Sequence, residues 1–235
     1  MSEPLALLVP AHHPGQQLAD LVQRMLGADV ALFRAAIVVD DGNEAEWRPL
    51  FDAVGRVPRA VVVRRETRGG KGAALKAGIA HALEAWPDIA GVVTADADGQ
   101  HAPADVARVG RALAAAPGHL VLGARRFDRS VPLRSRAGNE ITRTVFRWIT
   151  GVALLDTQTG LRGWPRELAR RSLQVRGDGF EYELEALLGA LDALRLEVPI
   201  ATIYEDENRL SHFRPIQDSI RIYGVLARHA FGRRR

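Results

Sequence analysis

Residues 60–99 read AVVVRRETRGGKGAALKAGIAHALEAWPDIAGVVTADADG, and they contain the patterns of a strand, a helix and a second strand in succession. Residues 60–64 and 89–94 are short apolar runs, which are typical of buried strands. Between them, residues 71–86 repeat apolar side chains every three or four positions, as an amphipathic helix does. A strand joined to the next by a helix predicts a parallel pair with a right-handed crossover.

The same alternation extends on both sides of this unit. Further apolar runs lie at 5–9, 35–39 and 119–123, and helical patterns lie at 16–26, 44–53 and 103–115. Strands that are continuous apolar runs are covered on both faces of a sheet. We therefore predict an α/β fold with a single doubly wound, mainly parallel sheet and helices on both faces.

The pattern becomes less regular after about residue 125. Helices are predicted at 136–149, 165–173, 180–191 and 215–231, and strands at 159–164 and 194–199. No internal repeat or low-complexity linker separates the two parts, so 235 residues are expected to form one domain around one core.

Composition excludes several classes of protein. The absence of cysteine excludes disulfides, thiol catalysis and cysteine-bound metal. No apolar run approaches the ~18 residues of a membrane span, and the N-terminus has no signal-peptide pattern, so we expect a cytoplasmic protein. A net charge of +4, carried almost wholly by arginine, favours anionic partners.

Polar side chains follow four of the predicted strands, in the segments Pro10–His13, Asp40–Gly42, Asp96–His101 and Gly123–Arg126. Ligands of open α/β sheets bind at the carboxyl ends of the strands, so these four segments predict one site. Asp96 and Asp98 stand two residues apart and can point toward one cation, with Gln100 as a further oxygen ligand. Such oxygen ligands suit Mg²⁺ or Mn²⁺. The alternative is a polar turn.

A glycine cluster precedes the helix of the opening segment. Gly69–Gly72 encloses Lys71, one of only two lysines in the chain, at a helix start. Bare backbone and an ammonium group suit an anion or a nucleotide, although a simple glycine-rich turn is an equal alternative. The segment lacks the spacing of a P-loop.

With these residues assembled, the chain resembles the family 2 glycosyltransferases, and among them the dolichol-phosphate-mannose-synthase-like group. The resemblance covers roughly residues 5 to 230. It is carried by the segments Val9–Ala11, Val39–Gly42, Gly70–Leu75, Asp96–His101, Gly123–Arg125, Asp156–Gly163, Phe180–Glu183 and Asn208–Phe213. One departure is His12-His13-Pro14, where the family usually has Tyr-Asn-Glu.

This resemblance implies an A-type glycosyltransferase fold and an inverting transfer from a nucleoside-diphosphate sugar to a polyprenyl phosphate. The nucleotide would be held by Pro10, Ala11, Asp40, Asp41, Lys71 and Asp96, and the metal by Asp96, Asp98 and Gln100. Catalytic roles are expected for Asp98, Arg125, Asp156, Glu181 and Glu183, and acceptor or phosphate contacts for Arg134, Arg136, Arg162, Ser211 and His212. Glu181 and Glu183 have alternatives as acceptor-orienting groups or as helix N-terminal charges.

The resemblance also divides the chain. Residues 1–213 would form the catalytic domain, with 1–125 as the nucleotide half and 126–213 as the acceptor half. Residues 214–235 combine an apolar stripe with arginines, which predicts either an amphipathic helix at a membrane surface or a helix packed on the core. A peripheral enzyme on the cytoplasmic face is expected, and a separate membrane-anchoring protein is an open question.

Three other functions remain in view. Asp96-x-Asp98 after a strand is also the nucleophile pattern of haloacid-dehalogenase-like phosphohydrolases. A catalytically silent protein that binds a nucleotide sugar would have the same site. Nucleic-acid binding is disfavoured because aromatic residues are only 6% of the chain and do not cluster. The base and sugar of the donor stay open among GDP-mannose, UDP-glucose and UDP-N-acetylglucosamine.

Overall fold

The computed structural model describes residues 3–125, 133–203 and 223–230, excepting the side chains of 133–138. Seven strands form one sheet in the order β3-β2-β1-β4-β6-β5-β7. The strands are β1 (Leu5–Ala11), β2 (Phe33–Asp41), β3 (Ala60–Arg65), β4 (Gly91–Thr94), β5 (Leu120–Arg125), β6 (Arg162–Pro165) and β7 (Arg195–Ile200). All pairings are parallel except those of β6, which is antiparallel to both β4 and β5.

Eight α-helices are present in the described residues, besides one 3-10 helix at Ala45–Trp47. They are α1 (Leu18–Gly27), α2 (Arg48–Gly55), α3 (Lys71–Ala85), α4 (Pro103–Ala115), α5 (Leu133–Thr150), α6 (Arg166–Ser172), α7 (Glu181–Gly189) and α8 (223–230). No helix among these residues is long and apolar enough to cross a membrane.

The strands send alternate side chains into two separate cores, because successive side chains of a strand point to opposite faces. Leu8 and Ile37 belong to a core that includes side chains of α3 and α7, and Leu7 and Val38 to one that includes side chains of α1 and α4. Both faces of the sheet are therefore covered, which confirms the predicted α/β fold with helices on both faces.

Helix α8 packs on the core, which is the second of the two alternatives that the sequence analysis gave for the C-terminal segment. Val225 and Leu226 are buried in the same core as α7, and Arg228 forms an ion pair with Glu185 of α7. The described part of the C-terminal segment therefore packs on the protein. Residues 214–222 and 231–235 lie outside the described residues.

Candidate active site

The carboxyl ends of β1, β2, β4 and β5 lie along one edge of the sheet, since these strands run parallel. The antiparallel strand β6 starts at that edge with Arg162, so the preceding segment 156–161 arrives there as well. One pocket at this edge is lined by residues that follow β4, by the last residue of β5 and by this segment. They are Asp96, Gln100, His101, Arg125, Gln158 and Gly160, together with Thr202 and Ile203. The four polar segments of the sequence thus lie at one edge of the sheet, and the two that follow β4 and β5 contribute residues to this pocket.

Lys71 lies at the centre of a partly buried charge cluster. Its Nζ is 2.7 Å from Asp96 Oδ1 and 2.7 Å from Glu183 Oε2. Burial disfavours the charged ammonium, but the two carboxylates outweigh this effect and raise the pKa of Lys71 above its ordinary 10.5. The lysine is therefore a permanent cation that joins β4 to α7.

Asp96 is held on both of its carboxylate oxygens. Oδ1 accepts the Lys71 contact, and Oδ2 lies 3.2 Å from Nε2 of His101, a buried side chain. Burial alone would raise the pKa of Asp96, but the positive charge of Lys71 and the contact with His101 lower it well below 3.8. Asp96 therefore stays ionised and serves as the anchor of the cluster.

Asp98 has a different environment from its neighbour. One oxygen accepts the backbone N–H of Gln100 at 3.0 Å. Burial and the nearby charge of Asp96 raise the pKa of Asp98 above 3.8. A carboxylate destabilised in this way is one that a bound cation would stabilise.

The residues fit a divalent cation only as a partial site. Among the described residues, no group of three or more histidine, aspartate or glutamate side chains is placed to hold a metal ion. Asp96, which the sequence counted as a ligand, already has partners on both oxygens. Asp98 and Gln100 remain as oxygen ligands, and Mg²⁺ commonly takes one or two protein ligands together with substrate phosphates. The donor set therefore fits such a cation when a diphosphate completes it.

The two aspartates at the end of β2 have structural partners. Asp41 accepts the backbone N–H groups of Gly69 and Gly70, at 3.0 and 2.7 Å, and forms an ion pair with Arg65. Asp40 Oδ1 accepts both the backbone and the side-chain N–H of Asn43. Asp41 thus fixes the glycine cluster, a role that the sequence did not reveal.

The start of α3 is not an open anion site, which corrects one alternative of the sequence analysis. The N–H groups of Gly72 and Ala73 donate to the carbonyls of Gly179 and Asp178, at 3.2 and 3.1 Å. With Gly69 and Gly70 donating to Asp41, these four backbone donors are occupied.

An aromatic stack occupies the end of β1, where the sequence departs from the family pattern. The rings of His12 and His13 stack with centroids 4.0 Å apart, and His13 stacks on Trp47 at 4.8 Å. His13 adopts a positive φ of 45° and contacts Glu44 Oε2 through Nε2 at 2.8 Å. Pro10 and Ala11 end β1 beside this stack.

Arg125, which lines the pocket, forms an ion pair with Asp156 behind it. Asp156 is fully buried and receives Arg125 Nε at 2.6 Å and Nη2 at 3.2 Å, a bidentate pair. The backbone N–H of Gln158 donates to the same carboxylate at 2.9 Å. Asp156 thereby fixes the guanidinium of Arg125 at the wall of the pocket.

Of three further expected site residues, two have structural contacts. Arg162 is 1% exposed, and its guanidinium donates to the backbone carbonyls of Thr159, Glu183 and Thr157, so it holds β6 to α7. Glu181 accepts the N–H of Gly179 at the start of α7, whereas Glu183 reaches Lys71. Of the two glutamates, only Glu183 joins the cluster around Asp96.

Some predicted site residues cannot be placed, and the sequence analysis missed two residues of the site. Ser211 and His212 lie outside the described residues, as do the side chains of Arg134 and Arg136. Gly160 was missed as a site residue: a Cβ there would overlap Asp96 Oδ2, so only glycine fits beside that carboxylate. His101 was missed as well, although its place directly after Gln100 is a signal in the sequence.

The fold is the A-type glycosyltransferase fold that the resemblance implied. The chain belongs to Glycosyl transferase family 2, whose family model matches residues 7–173. It is 30% identical over 207 residues to an uncharacterized protein of Methanocaldococcus jannaschii, covering 85% of this chain and 82% of that protein. It is 28% identical to the UDP-N-acetylglucosamine–dolichyl-phosphate N-acetylglucosaminyltransferase of Methanococcus voltae, covering 85% and 86%. Among solved structures, glucosyl-3-phosphoglycerate synthase from Mycobacterium tuberculosis, with Mn²⁺, UDP-glucose and phosphoglyceric acid, superposes with a TM-score of 0.75 at 20% identity, covering 97% and 80%.

The chain is therefore a family 2 glycosyltransferase, similar to enzymes that act on dolichyl and polyprenol phosphates. This membership overturns the alternative of a haloacid-dehalogenase-like phosphohydrolase.

Proposed function

We propose that this enzyme transfers a sugar from a nucleoside-diphosphate sugar to a polyprenyl phosphate, with inversion and with Mg²⁺ or Mn²⁺. The observation that supports the proposal is one pocket lined by Asp96, Gln100 and Arg125. Oxygen ligands for a cation-bound diphosphate and a guanidinium for an anionic acceptor therefore line the same cavity. The relatives named for dolichyl-phosphate and polyprenol substrates support the acceptor class.

On the donor side, charged groups would bind the diphosphate of the nucleotide sugar. Asp98 and Gln100 would hold the divalent cation, whose chemistry here is to neutralise the leaving diphosphate. Lys71 and His101 hold Asp96 ionised beside it, and Asp41 keeps the glycine cluster in place behind the nucleotide. The structures of a similarly folded enzyme that contain UDP with Mn²⁺ or Mg²⁺ support this assignment at the level of the fold.

The acceptor side needs a cation more than a base. A phosphate monoester is ionised near neutral pH, so its oxygen attacks the anomeric carbon without losing a proton. As that bond forms on one face, the bond from the anomeric carbon to the diphosphate oxygen breaks on the other, and the electron pair leaves with the nucleotide. Arg125, fixed by Asp156, would orient the attacking phosphate.

The test measures binding and transfer separately. Calorimetry with GDP, UDP and their sugar conjugates, with Mg²⁺ or Mn²⁺ and then with EDTA, identifies the donor base. Asp98→Asn should lose the metal-dependent binding, whereas Asp192→Asn, a change at an exposed acid paired with Arg171, should keep it. Transfer to a short-chain, water-soluble polyprenyl phosphate then tests the acceptor. Binding without any transfer would favour the catalytically silent alternative, and no binding of any nucleotide would contradict the proposal.

A further inference from the structure

Gln158 stands in the middle of a short segment that contacts both charged groups of the pocket. Two residues before it, the buried Asp156 holds Arg125 through two hydrogen bonds. Two residues after it, Gly160 lies so close to Asp96 that an added Cβ would overlap its carboxylate. Along the chain, Gln158 is therefore placed between the contact that fixes Arg125 and the contact with Asp96.

The backbone on both sides of Gln158 is held by hydrogen bonds. The N–H of Gln158 donates to Asp156 Oδ1 at 2.9 Å, and the carbonyl of Gly160 accepts the hydroxyl of Thr94 at 2.8 Å. Both neighbours of Gln158 in the chain are buried, whereas Gln158 itself is exposed. A backbone held in this way presents the one exposed side chain at a defined place in the pocket, which lowers the cost of ordering it on a ligand.

The side-chain amide of Gln158 is available to a ligand. Asp96 and Arg125, which line the same pocket, form ion pairs with other side chains. Within residues 3–125, 133–203 and 223–230, the amide of Gln158 makes no hydrogen bond, whereas its backbone N–H is engaged. An amide group has an acceptor oxygen and an NH₂ donor, so it can bind a hydroxyl group in either direction.

The proposed reaction puts the sugar in the cavity that Gln158 lines. The diphosphate would be held at Asp98 and Gln100 and the attacking phosphate at Arg125. The sugar passes from one phosphate to the other, so it has to lie in the cavity that these groups share. The amide of Gln158 enters that cavity as an uncharged group, and it suits the hydroxyls of a sugar better than it suits a phosphate.

We propose that Gln158 is a specificity-determining residue, whose side-chain amide hydrogen-bonds to a hydroxyl of the transferred sugar. This inference rests on the proposed function, because it takes a nucleoside-diphosphate sugar as the donor. It assigns the amide to the sugar and not to the nucleotide or to the acceptor phosphate. Replacing Gln158 should therefore change which sugars are accepted and leave the affinity for the nucleotide itself unchanged.

The first test is calorimetry with Mg²⁺ or Mn²⁺, which compares each nucleoside diphosphate with its sugar conjugates. One set is UDP with UDP-glucose, UDP-galactose and UDP-N-acetylglucosamine, and the other is GDP with GDP-mannose and GDP-glucose. Gln158→Met keeps the length of the side chain and removes the amide. It should bind the preferred conjugate roughly threefold to tenfold more weakly, as expected for one lost hydrogen bond, and bind the matching diphosphate as the wild type does.

Gln174→Met is the matched control. Gln174 is exposed, lies two residues after the end of α6 and does not line the pocket, so this variant should bind every ligand as the wild type does. Gln158 is also exposed and its amide has no partner among the described residues, so Gln158→Met should unfold at the same temperature as the wild type. A change in affinity would then report on the ligand and not on folding.

Transfer kinetics with a short-chain, water-soluble polyprenyl phosphate give the second measurement. The ratio of kcat/KM for two donors that differ at one ring position should move toward one in Gln158→Met, while KM for the acceptor stays the same. An equal loss of affinity for the diphosphate and for its conjugate would overturn the inference, because the amide would then bind the nucleotide. A raised KM for the acceptor with unchanged donor affinity would overturn it as well.

The inference and the proposed function fail in different measurements. If the wild type binds and transfers a sugar and Gln158→Met behaves identically with every donor, the inference is wrong and the proposed function stands. If the wild type binds no nucleotide, the proposed function is contradicted and the inference falls with it.

Discussion

Lys71 Nζ lies 2.7 Å from Glu183 Oε2 and 2.7 Å from Asp96 Oδ1, so one partly buried ammonium links α7 to the residues after β4. The start of α3, which carries Lys71, is itself held to the segment before α7, because the carbonyls of Gly179 and Asp178 accept the N–H groups of Gly72 and Ala73. The donor side of the pocket and the start of α7 therefore form one connected unit. Lys71 is the charged part of that connection.

Replacing Lys71 tests this link. Lys71→Met leaves the partly buried carboxylates of Asp96 and Glu183 without their cation, and we expect a loss of about 2 to 3 kcal/mol in the free energy of unfolding. Urea denaturation measures it. The only other lysine provides the control: Lys76→Met removes a partner of the exposed Asp178 and should cost at most about 1 kcal/mol.

A double variant separates the charge effect from lost packing. Glu183→Gln removes one of the two carboxylates, so adding it to Lys71→Met should recover part of the stability. If Lys71→Met alone is as stable as the wild type, the ammonium does not hold the cluster together.

The pH dependence of the free energy of unfolding should show that the folded protein destabilises the ionised carboxylate of Asp98. Its pKa is raised in the folded protein by burial and by the charge of Asp96. The folded state therefore binds this proton more tightly than the unfolded state, so the group's contribution to stability is greatest in acid and declines as the pH rises from about 3.8 through the raised pKa. We expect Asp98→Asn to be more stable than the wild type at neutral pH in EDTA.

The same substitution should abolish metal-dependent nucleotide binding, since Asp98 is the carboxylate left to hold the cation. A gain in stability with a loss of binding is the pattern of a site whose strain serves function. Thermal unfolding at several pH values measures the first effect and calorimetry the second. An Asp98→Asn protein less stable than the wild type across the whole pH range would contradict this account.

The sequence predicted the sheet and its rim because both depend on local pattern. Continuous apolar runs separated by amphipathic helices require a parallel sheet, and the carboxyl-end rule then brings Asp96, Asp98 and Arg125 together. What the sequence could not show are contacts between distant segments. Arg162 was predicted as a phosphate ligand. In the structure it starts β6, which lies between β4 and β5, and its guanidinium donates to backbone carbonyls. The partners of Lys71 and Asp41 also come from other elements, and no local pattern encodes them.

Gly160 should be intolerant of any side chain for a reason specific to Asp96. A Cβ at this position would overlap the carboxylate oxygen that faces His101, and that carboxylate is fixed by Lys71 on its other oxygen. Gly160→Ala should therefore displace Asp96 and weaken nucleotide binding by roughly 10- to 100-fold. Gly55→Ala, at a position with no atom within 4 Å of the added Cβ, is the control and should bind normally. Normal binding by Gly160→Ala would show that the carboxylate can move without cost.

Arg125 should matter for transfer more than for donor binding. Its bidentate contact with the buried Asp156 fixes a planar group that lysine cannot reproduce, because an ammonium group is a point charge on a flexible stem. We expect Arg125→Lys to lower kcat for transfer to a soluble polyprenyl phosphate by about 10²-fold while calorimetric nucleotide binding stays near the wild-type value. Arg111→Lys, at an exposed ion pair with Asp29, controls for the loss of a guanidinium and should leave both measurements unchanged. If Arg125→Lys weakens nucleotide binding as much as it slows transfer, Arg125 belongs to the donor side of the pocket, and the acceptor phosphate must be bound by other residues.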